Sequence, residues 1–304
     1  MIQRKVVLCL ILLCLCCSYA SGLKTSAHSH PLPSQATVTV VSSASFTPAL
    51  TDGCRASAFG TDLATAFATA FATQPDGLPA ASPSVLPTML GGTKVEIIDS
   101  ESVTRLAPLF FVSPSQLDLQ IPAGTATGNA RIVVTNRNGQ ISRGEFTVAE
   151  IAPSAFSANK SGSGAPAGFI VRQRRGNGAE LLQPSDDIIG AQHQRNEVQT
   201  SIEPLAIFDP AQFRFVPNPI KLNRGEEVSL VLLGTGFRNA TSSTRSRIIV
   251  NGVPLRATFT GAADAVGLDR IQAILPRSLD GRGEVNVVIE IDGKKSNTLK
   301  IAFD

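Results

Sequence analysis

Short apolar runs recur along most of this chain, and they alternate with polar positions instead of keeping a helical period. From Thr37 onward the runs are β-branched. They include TVTVV (37–41), TKVEII (93–98), RIVV (131–134), EFTV (145–148), VSLVLL (228–233), RIIV (247–250) and EVNVVIEI (284–291), with Gly, Pro, Asn and Asp between them. Runs of that length between turn residues predict an all-β sandwich or barrel.

The stretch LDLQIPAGTATGNARIVVTNRNGQI (117–141) shows the pattern in detail. Leu117, Leu119 and Ile121 fall on one face of a strand, and Asp118 and Gln120 fall on the other. Pro122 lacks an N–H, so it belongs at the strand end. Ala123-Gly124 and Gly128-Asn129 make the connection, Arg131 to Thr135 is the next strand, and Asn138-Gly139 supplies the positive φ angles of a tight hairpin. Each residue has a structural task, so these read as turn and core positions and not as a site. The passage LATAFATAFAT (63–73) is ambiguous: Leu63, Phe67 and Phe71 lie four apart, as on a helix face, but Ala also alternates with Thr or Phe. Its Thr content and the following QPDGLP favour extended structure.

The pattern returns near the other end. DRIQAILPRSLDGRGEVNVVIEIDGKKSNT (269–298) has a strand ending at Pro276, a Gly-containing connection, a strand, and a hairpin at Asp292-Gly293. AFGTDLA (58–64) finds an echo in LLGTGFR (232–238), and LGGTKVEI (90–97) finds one in IIVNGVPL (248–255), in the same order. These echoes predict a duplicated β-domain, with one copy over 36–150 and the second over 151–304. The second copy carries an extra front section, about 151–220, with SGSGAPAG (161–168) near its start.

The first residues have another character. MIQRKVVLCLILLCLCCSYASG has a basic start at Arg4 and Lys5, an apolar run from Val6 to Cys17, and small residues at Ser18 and Ala20. That is the three-part pattern of a secretory signal peptide, with 1–20 removed. The run falls short of the roughly 20 residues of a membrane span. An uncleaved anchor and a lipid-modified Cys16 or Cys17 are the other readings of this segment. Residues 21–35 (SGLKTSAHSHPLPSQ) read as a flexible leader. The expectation is a secreted or cell-envelope protein with no transmembrane span in the mature chain.

Composition changes the picture in two ways. Cleavage removes Cys9, Cys14, Cys16 and Cys17 of the five cysteines and leaves Cys54 alone, so no internal disulfide framework is available. It also removes Arg4 and Lys5, taking the formal charge from +3 to +1. A near-neutral body argues against a nucleic-acid or anionic-membrane partner recruited by charge. With 43% hydrophobic and 17% charged residues, the chain can bury a core.

At this point the chain resembles a family of exported bacterial proteins common in Acidobacteria, described as an uncharacterised immunoglobulin-like C-terminal domain and related in style to the IPT/TIG modules. The resemblance is carried by SSASFTPAL (42–50), FGTDLA (59–64), LPTMLGGTKVEI (86–97) and APLFFVSPSQLDLQIPAGTATGNARIVV (107–134). It continues through IAPSAF (151–156), LLGTGFR (232–238), VGLDRIQAILPRSLDGRGEV (266–285) and DGKKSN (292–297). Leu233 departs from the family's usual Tyr, and Asp118 from its usual Asn. The resemblance implies an Ig-like β-sandwich, export and use as an accessory module, with no catalytic residues; with the internal echoes, the expectation is two such sandwiches in tandem.

The search for chemistry yields few candidates. His28 and His30 lie in the leader and lack a third metal ligand; His193 sits in the polar AQHQRNE loop. Cys54 shares a face with Ala56 and Ala58, as a small buried hydrophobe would. Asp186-Asp187, and Asp99 with Glu101, lack calcium-loop spacing and read as solvated turn acids, although a loop calcium site stays open. Basic residues cluster at Arg172, Arg174 and Arg175 and at Arg238, Arg245 and Arg247, where a solvated hairpin edge is the default. Asn159-Lys160-Ser161 and Asn239-Ala240-Thr241 match the glycosylation tripeptide, a chance match in the bacterial protein that the resemblance implies. No nucleophile elbow, phosphate loop or dinucleotide fingerprint is present.

No catalytic, cofactor-binding or metal-binding residue is therefore assigned. The expected function is an exported, non-catalytic Ig-like binding or spacer module, with an unknown surface or secreted protein as partner. A carbohydrate-binding accessory module is the alternative, set back by the lack of Trp and by a single Tyr, Tyr19, in the signal segment. A hydrolase ranks below both.

Overall fold

The computed structural model describes residues 37–70, 85–175, 198–263 and 265–304, and among them there is no α-helix. The first half contributes β1 (Thr39–Ser42), β2 (Leu50–Thr51), β3 (Arg55–Phe59), β4 (Ala68–Thr69), β5 (Met89–Leu90), β6 (Thr93–Ile98), β7 (Thr104–Leu106), β8 (Leu109–Val112), β9 (Gln116–Gln120), β10 (Gly128–Thr135) and β11 (Ile141–Ala149). One sheet runs β1-β3-β9-β8-β4, and the other runs β2-β11-β10-β6-β5 with β7 on β6. Period-two alternation turns one side of each sheet inward. Ala56, Ala58, Leu117 and Leu119 from the first sheet and Val95, Ile97, Ile132 and Val134 from the second share one buried cluster. Each large aliphatic side chain buried this way stabilises the fold by about 1.5–3 kcal/mol relative to exposure.

The second half contributes β12 (Ser154–Ala155), β13 (Gly168–Arg175), β14 (Val198–Pro204), β15 (Ala206–Asp209), β16 (Arg214–Pro217), β17 (Pro219–Ile220), β18 (Glu226–Thr235), β19 (Ser246–Val250), β20 (Val253–Ala262), β21 (Asp269–Ile274), β22 (Gly283–Ile291), β23 (Lys294–Lys295) and β24 (Leu299–Phe303). The strand order is β14-β13-β18-β21-β20-β19-β22-β24-β17. β20 links the two layers: its start pairs with β19, its later part with β21, and the register shifts between Ala257 and Phe259. A bulge of that kind bends a strand, which lets it pass from one sheet to the other. Leu230, Leu232, Ile271 and Ala273 on one side and Ile248, Val287, Ile289 and Ile301 on the other belong to a second core cluster. Of the sandwich or barrel expected from the alternation, the chain forms an all-β sandwich.

Several local expectations can be compared directly. TKVEII is a strand over its whole length, β6. Between β10 and β11 the connection runs over 136–140, longer than a tight two-residue turn. Gly139 has φ 78°, whereas Asn138 is not among the positive-φ residues. Asn136 holds this loop: its Oδ1 accepts from the Asn138 and Gln140 amides, and its Nδ2 donates to Gln140 Oε1. The tight form does occur at Asp292-Gly293 (φ 48° and 80°), joining β22 to β23. In the ambiguous passage, residues 63–70 contain only the short β4 strand, and 71–73 lie outside the described residues.

The two halves repeat a set of pairings. β3 pairs with β9 as β18 pairs with β21. β10 lies between β6 and β11 as β22 lies between β19 and β24. β2 runs parallel to β11 as β17 runs parallel to β24. Residues Gln35–Asp304 nevertheless form one compact unit by their contacts. The join is hydrogen-bonded: the Arg55 amide donates to Thr235 Oγ1 at 2.8 Å, and Asn239 Nδ2 donates to the Asp52 carbonyl at 3.1 Å.

Candidate functional site

The segment between β14 and β17 builds an exposed aromatic surface. β15 and β16 form a separate two-stranded sheet, paired from Ala206↔Pro217 to Asp209↔Arg214. At its turn, Asp209 Oδ1 accepts from the Ala211 and Gln212 amides. These bonds, the Ala211 amide above all, hold the Asp209 carboxyl below its usual pKa. Phe213 follows with φ 53°, a left-handed conformation that is strained for a bulky residue. Phe208, Phe213 and Phe215 are 48%, 85% and 40% exposed. The Phe208 ring meets both partners edge-on, with centroids 5.6 Å apart and planes crossing at 76° with Phe213 and 70° with Phe215. Ile202, on the preceding β14, is also exposed.

The hairpin is tied to the body. Asn159 Nδ2 donates to the Phe215 carbonyl at 2.7 Å, and the Phe215 amide donates to Asn159 Oδ1 at 2.8 Å. Asn218 Nδ2 donates to the Pro204 carbonyl at 2.9 Å. The three rings are thus exposed on a hairpin fixed along β16 and at its base, a geometry suited to packing against another molecule.

The structure places the residues singled out by sequence as follows. His28, His30, His193, Asp186 and Asp187 lie outside the described residues. Cys54 is buried, and burial pushes its thiol up to about 12. Among the described residues no group of three or more His, Cys, Asp or Glu could hold a metal ion. Asn159 spends its amide on Phe215, and Asn239 spends its amide on Thr51 and Asp52.

Two expectations are corrected. Asp99 is not a solvated turn acid: it is buried and accepts from the Glu101, Val103 and Ala126 amides and from Arg105. Burial works to raise its pKa, but those donors outweigh it and the pKa is lowered. Its chemistry is that of a loop clamp, because the turn from β6 to β7 leaves amides that need an acceptor. The arginines are not simply solvated. Arg172 pairs with Glu203 and Glu226, Arg238 with Asp269, Arg245 with Asp292 and Arg247 with Glu290. Of Arg175, only its backbone pairing to Val198 is described.

The sequence reading missed the aromatic hairpin. Its signal is the spacing in IFDPAQFRF (207–215), where Asp-Pro-Ala-Gln turns between two Phe-bearing runs. That both runs stay exposed is not visible in the pattern.

No protein-family model matches this chain, and no curated protein does. A solved structure to which it is similar is murine CEACAM1b, at 14% identity over 89% of this chain and 99% of that one, with a TM-score of 0.18. Among the described residues no helix is long and apolar enough to cross a membrane.

Proposed function

We propose that the chain is an exported, non-catalytic binding or spacer module that acts at the cell surface or outside the cell through protein–protein contacts, built from a repeated Ig-like unit. The observation that supports it is the cluster Phe208, Phe213 and Phe215, exposed on a hairpin anchored at Asn159. The partner it suits is a protein presenting an apolar surface. Sugar rings stack on a flat aromatic face, whereas Phe208 crosses Phe213 at 76° and Phe215 at 70°, edge-on to both, as in a hydrophobic knob. The matching order of strand pairings supports the repeat. The basic start, apolar run and small residues of 1–20 support export, and the ordered blocks of similarity support membership of the acidobacterial family.

The test is capture of partners from host envelope and culture supernatant, by the wild-type chain and by Phe213→Asp, with half of the prey protease-treated. Capture of a protein by wild type, lost after protease and lost with Phe213→Asp, is the expected result. Protease-resistant capture would assign the surface to a glycan. Capture indifferent to Phe213 would remove the hairpin from the reading.

A further inference from the structure

The outward face of the first sheet is only partly open to solvent. Arg55, Ser57 and Phe59 alternate on β3 opposite the buried Ala56 and Ala58, and Asp118 alternates on β9 opposite Leu117 and Leu119. Against them the second half places Phe156, Leu233 and Leu268. Together they enclose a half-open cavity of about 670 Å³, within the size range of small-ligand sites.

The charges in this cleft are unequal in their satisfaction. Asp118 Oδ1 already accepts from Ser57 Oγ at 2.6 Å and from Gln116 Nε2 at 3.1 Å. The Arg55 guanidinium lies with its Cζ 4.0 Å from the centre of the Phe110 ring. Its Nε is buried and has no hydrogen-bond partner, and among the described residues no carboxylate lies within ion-pair distance of it. Burial lowers its pKa, and Asp118 works against that shift. An Arg side chain cannot shed its charge in a protein, so Nε remains a desolvated donor with no acceptor, and Asp118 offsets the charge without pairing to it. Lys160 adds a second cation to the lining, giving two positive groups to one carboxylate. The apolar side chains of Phe156 and Leu233 line the same cavity.

We infer that this cleft binds a small amphipathic carboxylate, whose carboxylate engages the Arg55 fork and whose apolar body rests against Phe156 and Leu233. The site is separate from the aromatic hairpin and does not depend on the protein-docking reading. The same chemistry is offered by a free aryl or alkyl acid and by a peptide ending in an apolar residue with a free C-terminus.

Calorimetric titration of the full chain tests it, with 4-phenylbutanoate, its uncharged amide, and a pentapeptide ending in Phe with a free or amidated C-terminus. The acid is expected to bind at least about tenfold more tightly than the amide, since the charge-assisted bond is lost with the charge. Arg55→Met should abolish that difference, and Arg55→Lys should retain part of it. Ala158→Trp, which fills the cleft and leaves Arg55 in place, should block binding, so a folding defect at position 55 cannot imitate the result. Binding of the free peptide without the acid would support the site and assign its carboxylate to a chain terminus. Equal binding of acid and amide, binding of the acid by Arg55→Met as by wild type, or binding of no probe would overturn the inference.

Discussion

Arg238 closes over Asp269: its Nη2 lies 2.7 Å from Oδ1 of a carboxylate side chain with no solvent exposure, while Oδ2 accepts from the Phe237 amide at 2.8 Å and the Arg238 amide at 3.3 Å. One carboxylate thus holds the turn after β18 to the first residue of β21. A further Arg238 bond, from Nη2 to the Leu268 carbonyl, braces the loop beside the cleft. Removing one member of such a buried pair strands the other members of the network. Asp269→Ala is therefore expected to lose about 3 kcal/mol or more of unfolding free energy, read from urea denaturation. The double change with Arg238→Met should cost less than the two single changes added together.

Gly236 sits at φ 79° where the second half meets the first. A Cβ there would lie 2.3 Å from the Ala152 carbonyl oxygen and 3.2 Å from a Thr51 methyl. Gly252 has the same φ of 79° with nothing within 4 Å. Gly252→Ala should cost only the left-handed strain, about 1–2 kcal/mol. Gly236→Ala should cost more, because backbone must also move. Equal losses in urea midpoints would show that the join between the halves yields easily.

Cys54 is expected to be inert in the folded chain. Burial raises the thiol to about 12, so almost no thiolate exists at neutral pH. Its Sγ also accepts from the Thr51 amide at 3.4 Å. Alkylation followed by mass spectrometry of the Cys54 peptide should show no labelling of native protein at pH about 8 and full labelling in denaturant. Rapid native labelling would show that the strand edge at 51–54 opens.

The cluster at Arg172 predicts an acid-sensitive increment of stability. The Arg172 hydrogen bond is the main cause lowering the Glu203 pKa, with burial opposing it. At Glu226 burial acts to raise the pKa, but Arg172, Asn223 and the Arg174 charge outweigh it, and the result is again a lowering. A carboxylate whose folded pKa lies below its unfolded value stabilises the fold above the unfolded value. That contribution is lost as pH falls through the folded pKa. The stability gap between wild type and Glu226→Gln should thus be full at about pH 6 and shrink toward about pH 3. A gap that widens on acidification would contradict the sign.

Much of the local architecture was legible because alternation and turn chemistry act over a few residues. β6 could be read from TKVEII, the inward set Leu117, Leu119 and Ile121 from its period of two, and the Asp292-Gly293 hairpin from residues that tolerate positive φ. Asp99 was misread for the converse reason. Three of its donors, Glu101, Val103 and Arg105, lie within six residues but reveal themselves only in the folded turn, and the fourth, Ala126, comes 27 positions later in the chain.

The candidate sites were far less legible. Asp118 alternates outward as a solvent-facing strand residue would, and nothing in 117–141 announces that it lines a cavity with Phe156 and Leu233. Arg55 looks like any strand arginine until the carboxylates near other arginines prove to be engaged elsewhere. The Phe residues of 207–215 have the spacing of a buried hairpin, and only the packing leaves them outside.

By itself, then, the sequence determined the strand content, the inward faces and the hairpins, since backbone sterics and the two-residue period are properties of a short segment. The tertiary structure decided which outward faces stay outward. Lining the β3–β9 face depends on segments a hundred or more residues away, joined through bonds such as Arg55 to Thr235, 180 positions apart; the exposed β15–β16 hairpin is held by Asn159, 56 positions before Phe215. Periodicity encodes orientation relative to a strand's own sheet. It holds no information about what a distant part of the chain will lay against the other side.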